Sequence, residues 1–207
     1  MNSYRTKYDA FYEEALGVLT KSGSVESVYQ FIDSLQGEDY RDHTLMRVAQ
    51  FFATRGELAT ALQFCMKIED SVERAHALLQ IGATLKGGLD MQAAKNVFDL
   101  TLEAVEAIKC SYEKASALLL VATQLQSLNC EDEALRILRV AIKLSNPLPQ
   151  EFEAAKNLRG CARLLASWNF QPEATAVAES IDSRWSELRN TALEEVRGRG
   201  RWPVRPL

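Results

Sequence analysis

No glycine-rich phosphate loop, no G-x-S-x-G elbow and no H-E-x-x-H pair occurs in this chain of 207 residues. Those absences remove common signatures of nucleotide binding, of a hydrolase nucleophile and of a zinc peptidase. Histidine is scarce, at two, and the four cysteines include no pair at metal-ligand spacing, so they read as unpaired intracellular thiols. No apolar run approaches the length of a membrane span, and Met1 to Asp9 lacks the apolar centre of a signal peptide. A cytoplasmic protein with no membrane partner is therefore expected. No Gly-, Ser- or Pro-rich linker interrupts the chain, which predicts one elongated domain over residues 1–196. Charged residues at 25% and aromatics at 8% are ordinary for a globular protein.

What is present is repetition. Five stretches beginning near Asp9, Asp42, Ala75, Ala115 and Ala155 align at spacings of 33, 33, 40 and 40 residues. The alignment stacks Tyr12, Leu45, Leu78, Leu118 and Leu158, and then Ala15, Val48, Ile81, Val121 and Cys161. Leu19, Phe52, Leu85, Leu125 and Leu165 follow, with Leu16, Ala49, Gly82, Ala122 and Ala162 between. Further on, Val28, Ala61, Ala94, Ala134 and Ala174 align, then Phe31, Phe64, Val97, Ile137 and Val177, and lastly Ile32, Cys65, Phe98, Leu138 and Ala178.

The first four columns are spaced i, i+3, i+4, i+7, one face of an α-helix, and the later columns mark a second helix. Gly23, Gly56, Asn129 and Asn169 share the column between, where a left-handed cap ends the first helix; the remaining copy has Gly87 and Gly88 just before Leu89. Each unit is thus an antiparallel hairpin, and hairpins of this size bury their apolar faces by stacking. The small-residue columns are the expected points of close helix approach. Two copies run seven residues long. In the third, Phe98, Leu102, Val105 and Ile108 extend the helix; in the fourth, Asn146, Pro147, Leu148 and Pro149 end it.

These residues resemble the tetratricopeptide repeats, whose helix-turn-helix unit has a large apolar residue early, a small residue, an aromatic, a turn glycine, an alanine and a second aromatic. Leu45, Val48, Ala49, Phe52, Gly56, Ala61 and Cys65 match in order, as do Leu78 to Phe98, Leu118 to Leu138 and Leu158 to Ala178, over roughly residues 9 to 183. The early tryptophan is absent from every copy, so the repeats are degenerate and another class of α-solenoid stays open. The resemblance implies an all-α, right-handed α-solenoid of about five stacked hairpins. Ser183 to Val196, with Trp185, Leu188, Ala192, Leu193 and Val196 apolar, reads as a capping helix. Arg197 to Leu207 is expected to be a basic, disordered tail; the whole chain carries −4, and without the tail's four arginines −8.

Glu73 and His76 have an E-x-x-H spacing, but a di-iron site needs a second such motif, and Tyr40 stands at the matching place beside His43. No metal, cofactor or catalytic residue is assigned, and no enzyme is expected. His43 and His76 share a repeat column on neighbouring first helices and read as exposed polar residues.

Function then falls to the surface. The resemblance implies a concave groove lined by first helices: His43, Met46, Arg47 and Gln50; His76, Leu79, Gln80 and Ala83; Ser116, Leu119, Leu120 and Thr123; Lys156, Arg159, Gly160 and Arg163. Met46, Leu79, Leu119 and Leu120 supply apolar anchors, and Lys156, Arg159 and Arg163 a basic stripe that Glu153 offsets in part. The implied guest is a protein or peptide segment with an acidic or C-terminal carboxylate end. An asparagine-and-lysine carboxylate clamp is not reproduced, since Gln50, Ala83 and Thr123 stand there. The expected class is an adaptor or chaperone-like scaffold; the alternative is a structural subunit that self-associates through the solenoid surface. The oligomeric state stays open. A nucleic-acid partner is not expected of an acidic chain whose groove positions include no aromatic.

Overall fold

Left-handed backbone marks the turns. Gly23, Gly56 and Asn169 have φ of 65°, 80° and 66°, and Asn169 alone among the described non-glycine residues has a positive φ. A side chain strains there, which explains why glycine and asparagine fill the column. The computed structural model describes residues 3–85, 91–127, 130–148 and 151–199. Gly87, Gly88, Leu89 and Asn129, and the expected tail from residue 200 onward, lie outside them.

Among the described residues the protein is all-α, with eleven α-helices, no strand and one short 3₁₀ turn. No described helix is long and apolar enough to cross a membrane. Contacts gather in two compact units, Met1–Ala107 and Ile108–Leu207. The first holds α1 (Ser3–Ser22), α2 (Val25–Asp33), α3 (Glu38–Thr54), α4 (Leu58–Met66), α5 (Ser71–Leu85) and α6 (Met91–Ala107). The second holds α7 (Ser111–Ser127), α8 (Glu131–Ser145), α9 (Phe152–Ser167), α10 (Gln171–Glu179) and α11 (Ser186–Arg199), with the 3₁₀ turn Ser183–Trp185 before α11.

Within the first unit α1 pairs with α2, α3 with α4 and α5 with α6, while α1 packs on α3 and α3 on α5. The second unit repeats the scheme: α7 pairs with α8 and α9 with α10, while α7 packs on α9 and α9 on α11. The aligned columns form the interiors. Val48, Ala49, Ile81, Val121, Ala122, Cys161 and Ala162 have no exposed surface, nor do Ala61, Ala134 and Ala174 of the second-helix column. The side chain of Ala94 lies outside the described set. In the first unit Phe64 of α4 lies 4.3 Å from Tyr29 of α2 and 5.5 Å from Phe52 of α3, centroid to centroid.

The joint between the second and third hairpins is polar and buried. Asp42, 5% exposed on α3, accepts from the Glu69 amide at 3.1 Å with one oxygen and from the Asp70 amide at 2.9 Å with the other. Asp70 in turn caps α5, accepting from Val72 at 2.9 Å and Glu73 at 2.8 Å. Arg74 closes the joint by donating to the Ile68 carbonyl at 2.9 Å. In the second unit Asn157 of α9 has a similar duty, donating to the Tyr112 carbonyl at 2.8 Å.

Both long copies follow the sequence. In α6 the helix continues through Val105 to Ala107, with Val105 buried and Ile108 buried just past its end. In α8 the helix stops at Ser145, ahead of Pro147. One boundary differs: the expected capping helix begins as a 3₁₀ turn and then runs on through Arg197, Gly198 and Arg199. Three residues assigned to the tail are therefore helical. The segment from Arg197 was expected to be a disordered tail, but α11, with Ala192 and Val196 both buried, continues into it.

Two substitutions test this packing. Ala49→Leu puts three further carbons where α3 meets its neighbours and should cost about 1–3 kcal/mol. Asp42→Ala leaves two backbone amides without acceptors and should cost about 1–3 kcal/mol. Urea unfolding at constant m-value measures both.

Candidate functional site

On α3 the residues His43, Met46, Arg47, Gln50 and Thr54 follow i, i+3, i+4, i+7, i+11, while Leu45, Val48, Ala49 and Phe52 occupy the buried side. The periodicity that builds the core thus leaves a continuous row for a second surface. With Tyr12 from α1, Phe51 from α3 and Gln80 from α5, that row encloses an open cavity of about 410 Å³.

Arg47 is held from two sides. It donates through Nη1 to Asp9 Oδ1 at 3.1 Å, and its guanidinium lies 4.6 Å from the centre of the Tyr12 ring. Its side chain is 36% exposed and that of Asp9 49%, so the pair holds α1 to α3 with modest energy and mainly fixes the guanidinium in place. Beside it, burial and then the charge of Arg47 lower the His43 pKa below its ordinary value, against the opposing pull of Glu73 and Asp9. His43 therefore favours the neutral imidazole.

Of the expected groove residues in the first unit, His43, Met46, Arg47, Gln50 and Gln80 line this one cavity. His76 is half-buried and Ala83 exposed. Leu79, expected as an apolar anchor, is 4% exposed and belongs to the core. The buried side of α5 is broad because α3, α4 and α6 all pack against that helix. Tyr12, Phe51, Thr54 and the anchoring Asp9 were missed. Tyr12 had been absorbed into a core column, whereas Phe51 and Thr54 simply continue the α3 row by one more turn.

The second unit treats its expected residues differently. Ser116 is half-buried, Leu120 is 42% exposed, and the exposed Thr123 returns its hydroxyl proton to the Leu119 carbonyl at 2.8 Å. Leu119 meets α9 at Gly160, where an added Cβ would stand 2.5 Å from Leu119 Cδ2. These two residues are a helix contact before they are a surface. The basic stripe is mostly engaged: Lys156 donates to Glu153 at 2.8 Å, and Arg159 gives Nη2 and Nε to the two oxygens of Glu195 on α11 at 2.6 and 3.1 Å. Arg163 is exposed. The acidic-end guest inferred from that stripe thus loses two of its three cations to carboxylates within the unit.

No family model matches the sequence, and no curated protein matches it. A solved structure, Ton1535 from Thermococcus onnurineus NA1, is similar with a TM-score of 0.53 over 91% of this chain at 17% identity. This chain spans 56% of that one. At such identity the likeness is one of helical fold alone.

The cysteines offer a check on burial. Cys65 and Cys161 are buried, and burial pushes both thiols up to about 12, whereas Cys110 and Cys130 are half-buried. Since the thiolate is the reactive form, an aromatic disulfide reagent at pH 8 should titrate Cys110 and Cys130 rapidly in the native protein and all four thiols in denaturant. Rapid reaction at Cys65 or Cys161 would contradict the packing.

Proposed function

We propose that the chain is a protein-interaction module, each unit being a short stack of helix hairpins of the α-solenoid kind, similar to tetratricopeptide repeats. In this reading the face made by α1, α3 and α5 receives a segment of a partner protein. The observation that carries it is the open cavity of about 410 Å³, built from three successive first helices and combining Tyr12, Met46 and Phe51 with Gln50, Thr54 and Gln80. Apolar seats mixed with a few convergent polar groups are what a recognition pocket needs. The side chains of Gln50 and Gln80 make no hydrogen bond among the described residues, so their capacity is available to a guest. The proposal assigns no catalysis and no cofactor: the polar groups here form no nucleophile, base and orienting partner in series.

Affinity capture from native extract tests the reading. A Met46→Arg/Thr54→Arg variant fills and charges the cavity at two exposed or half-buried positions, so the fold should persist by circular dichroism. A protein retained by the wild type should fall by about tenfold or more, equivalent to about 1.4 kcal/mol. Equal recovery by the variant would remove this face from the account.

A further inference from the structure

Three arginines tie neighbouring helices together, and one of them is used differently. Arg139 gives both Nε and Nη2 to Glu173 at 3.0 Å, and Arg159 engages both oxygens of Glu195 in the same way. Those guanidinium edges are committed. Arg47 gives one hydrogen bond, to Asp9 Oδ1, and among the described residues its other N–H groups and the second oxygen of Asp9 have no partner.

The surrounding groups share a property. Gln50 and Gln80 each carry a donor and an acceptor on one planar carboxamide. Thr54 donates to the Phe51 carbonyl at 2.8 Å, which leaves its oxygen as an acceptor. Arg47 and Asp9 together present donors and an acceptor while cancelling in charge. Burial and Arg47 keep His43 from adding a standing positive charge at neutral pH, although Glu73 and Asp9 oppose them. Every available polar group or pair is therefore matched by a guest that both donates and accepts and carries no net charge.

We infer that the cavity recognises an uncharged side-chain carboxamide, glutamine or asparagine, flanked by an apolar residue seated on Tyr12, Met46 and Phe51. This rests on the protein-binding reading and narrows the guest from an acid-ended segment to a neutral one. A carboxylate would find the Arg47 edge and the carboxamide N–H groups, but it would face the Asp9 charge and have no proton to give the two carboxamide oxygens. An ammonium group would find Asp9 but also Arg47. A carboxamide pairs donor to acceptor and acceptor to donor with Gln50 or Gln80, which neither a carboxylate nor an ammonium group can do.

Three acetylated and amidated pentapeptides, Ser-Leu-Gln-Leu-Ser and its counterparts with Glu or Lys at the centre, supply the test by NMR titration of the full-length ¹⁵N-labelled protein. The Gln peptide should shift the side-chain amide resonances of Gln50 and Gln80 and bind at least about tenfold more tightly than either charged peptide. In Gln50→Glu the Lys peptide should become the preferred ligand. Binding of the Glu or Lys peptide as tight as that of the Gln peptide, with the same resonances shifted, would keep this face as a docking site and overturn the carboxamide assignment. Shifts elsewhere only, or none with any peptide at millimolar concentration, would reject both.

Discussion

Small side chains sit where neighbouring helices of this protein pack together. Ala49, Ala122 and Ala162 have no exposed surface, and each sits on the helix that carries its hairpin's contact to the next. A leucine there would hold the backbones apart and lift the apolar columns on either side away from one another. Because interiors are close-packed, that displacement would propagate to Val48, Val121 and Cys161, which lie one residue away and are also fully buried. The stacking of one hairpin on the next depends on this spacing, and so does the cavity of the first unit, whose walls are the outer faces of three helices held at that distance.

Polar and charged groups complete the joints that apolar packing begins. Asp42 satisfies two amides in the loop that enters α5, and Asn157 anchors the Tyr112 carbonyl. Arg139 with Glu173 and Arg159 with Glu195 clamp helices of the second unit, and the bond from Arg139 holds the Glu173 carboxyl below its ordinary range. These pairs are partly exposed, so they set register more than they stabilise. Their consequence for recognition is negative. Two of the three cations that looked available along α9, Lys156 and Arg159, are spoken for by carboxylates of the same unit.

Much of the fold was legible because helix hairpins write short-range patterns. The i, i+3, i+4, i+7 columns located the buried faces, and the column of Gly23, Gly56 and Asn169 located the left-handed turns, since few residues tolerate that backbone. Phe98, Leu102 and Val105 announced the length of α6, and Pro147 the end of α8. The site was less legible. Leu79 has the same apolar character whether it anchors a guest or fills a core, and only the neighbours of α5 decide between the two. Tyr12 presented the converse ambiguity, as an aromatic in a core column that in fact stacks beneath Arg47 at the cavity wall.

By itself the sequence determined that the described chain is built of helix pairs, where the turns at Gly23, Gly56 and Asn169 fall and which residues of most columns face inward, because those features depend on neighbours within a few positions along the chain. It also carried the row His43, Met46, Arg47, Gln50 as a face distinct from the core. Tertiary structure alone decided which arginine is saturated and which is held with an edge to spare. Asp9 and Arg47 are 38 residues apart in sequence, and Arg159 and Glu195 are 36 apart. No local pattern encodes such pairings; they arise when packed small residues bring separate helices within reach of a hydrogen bond.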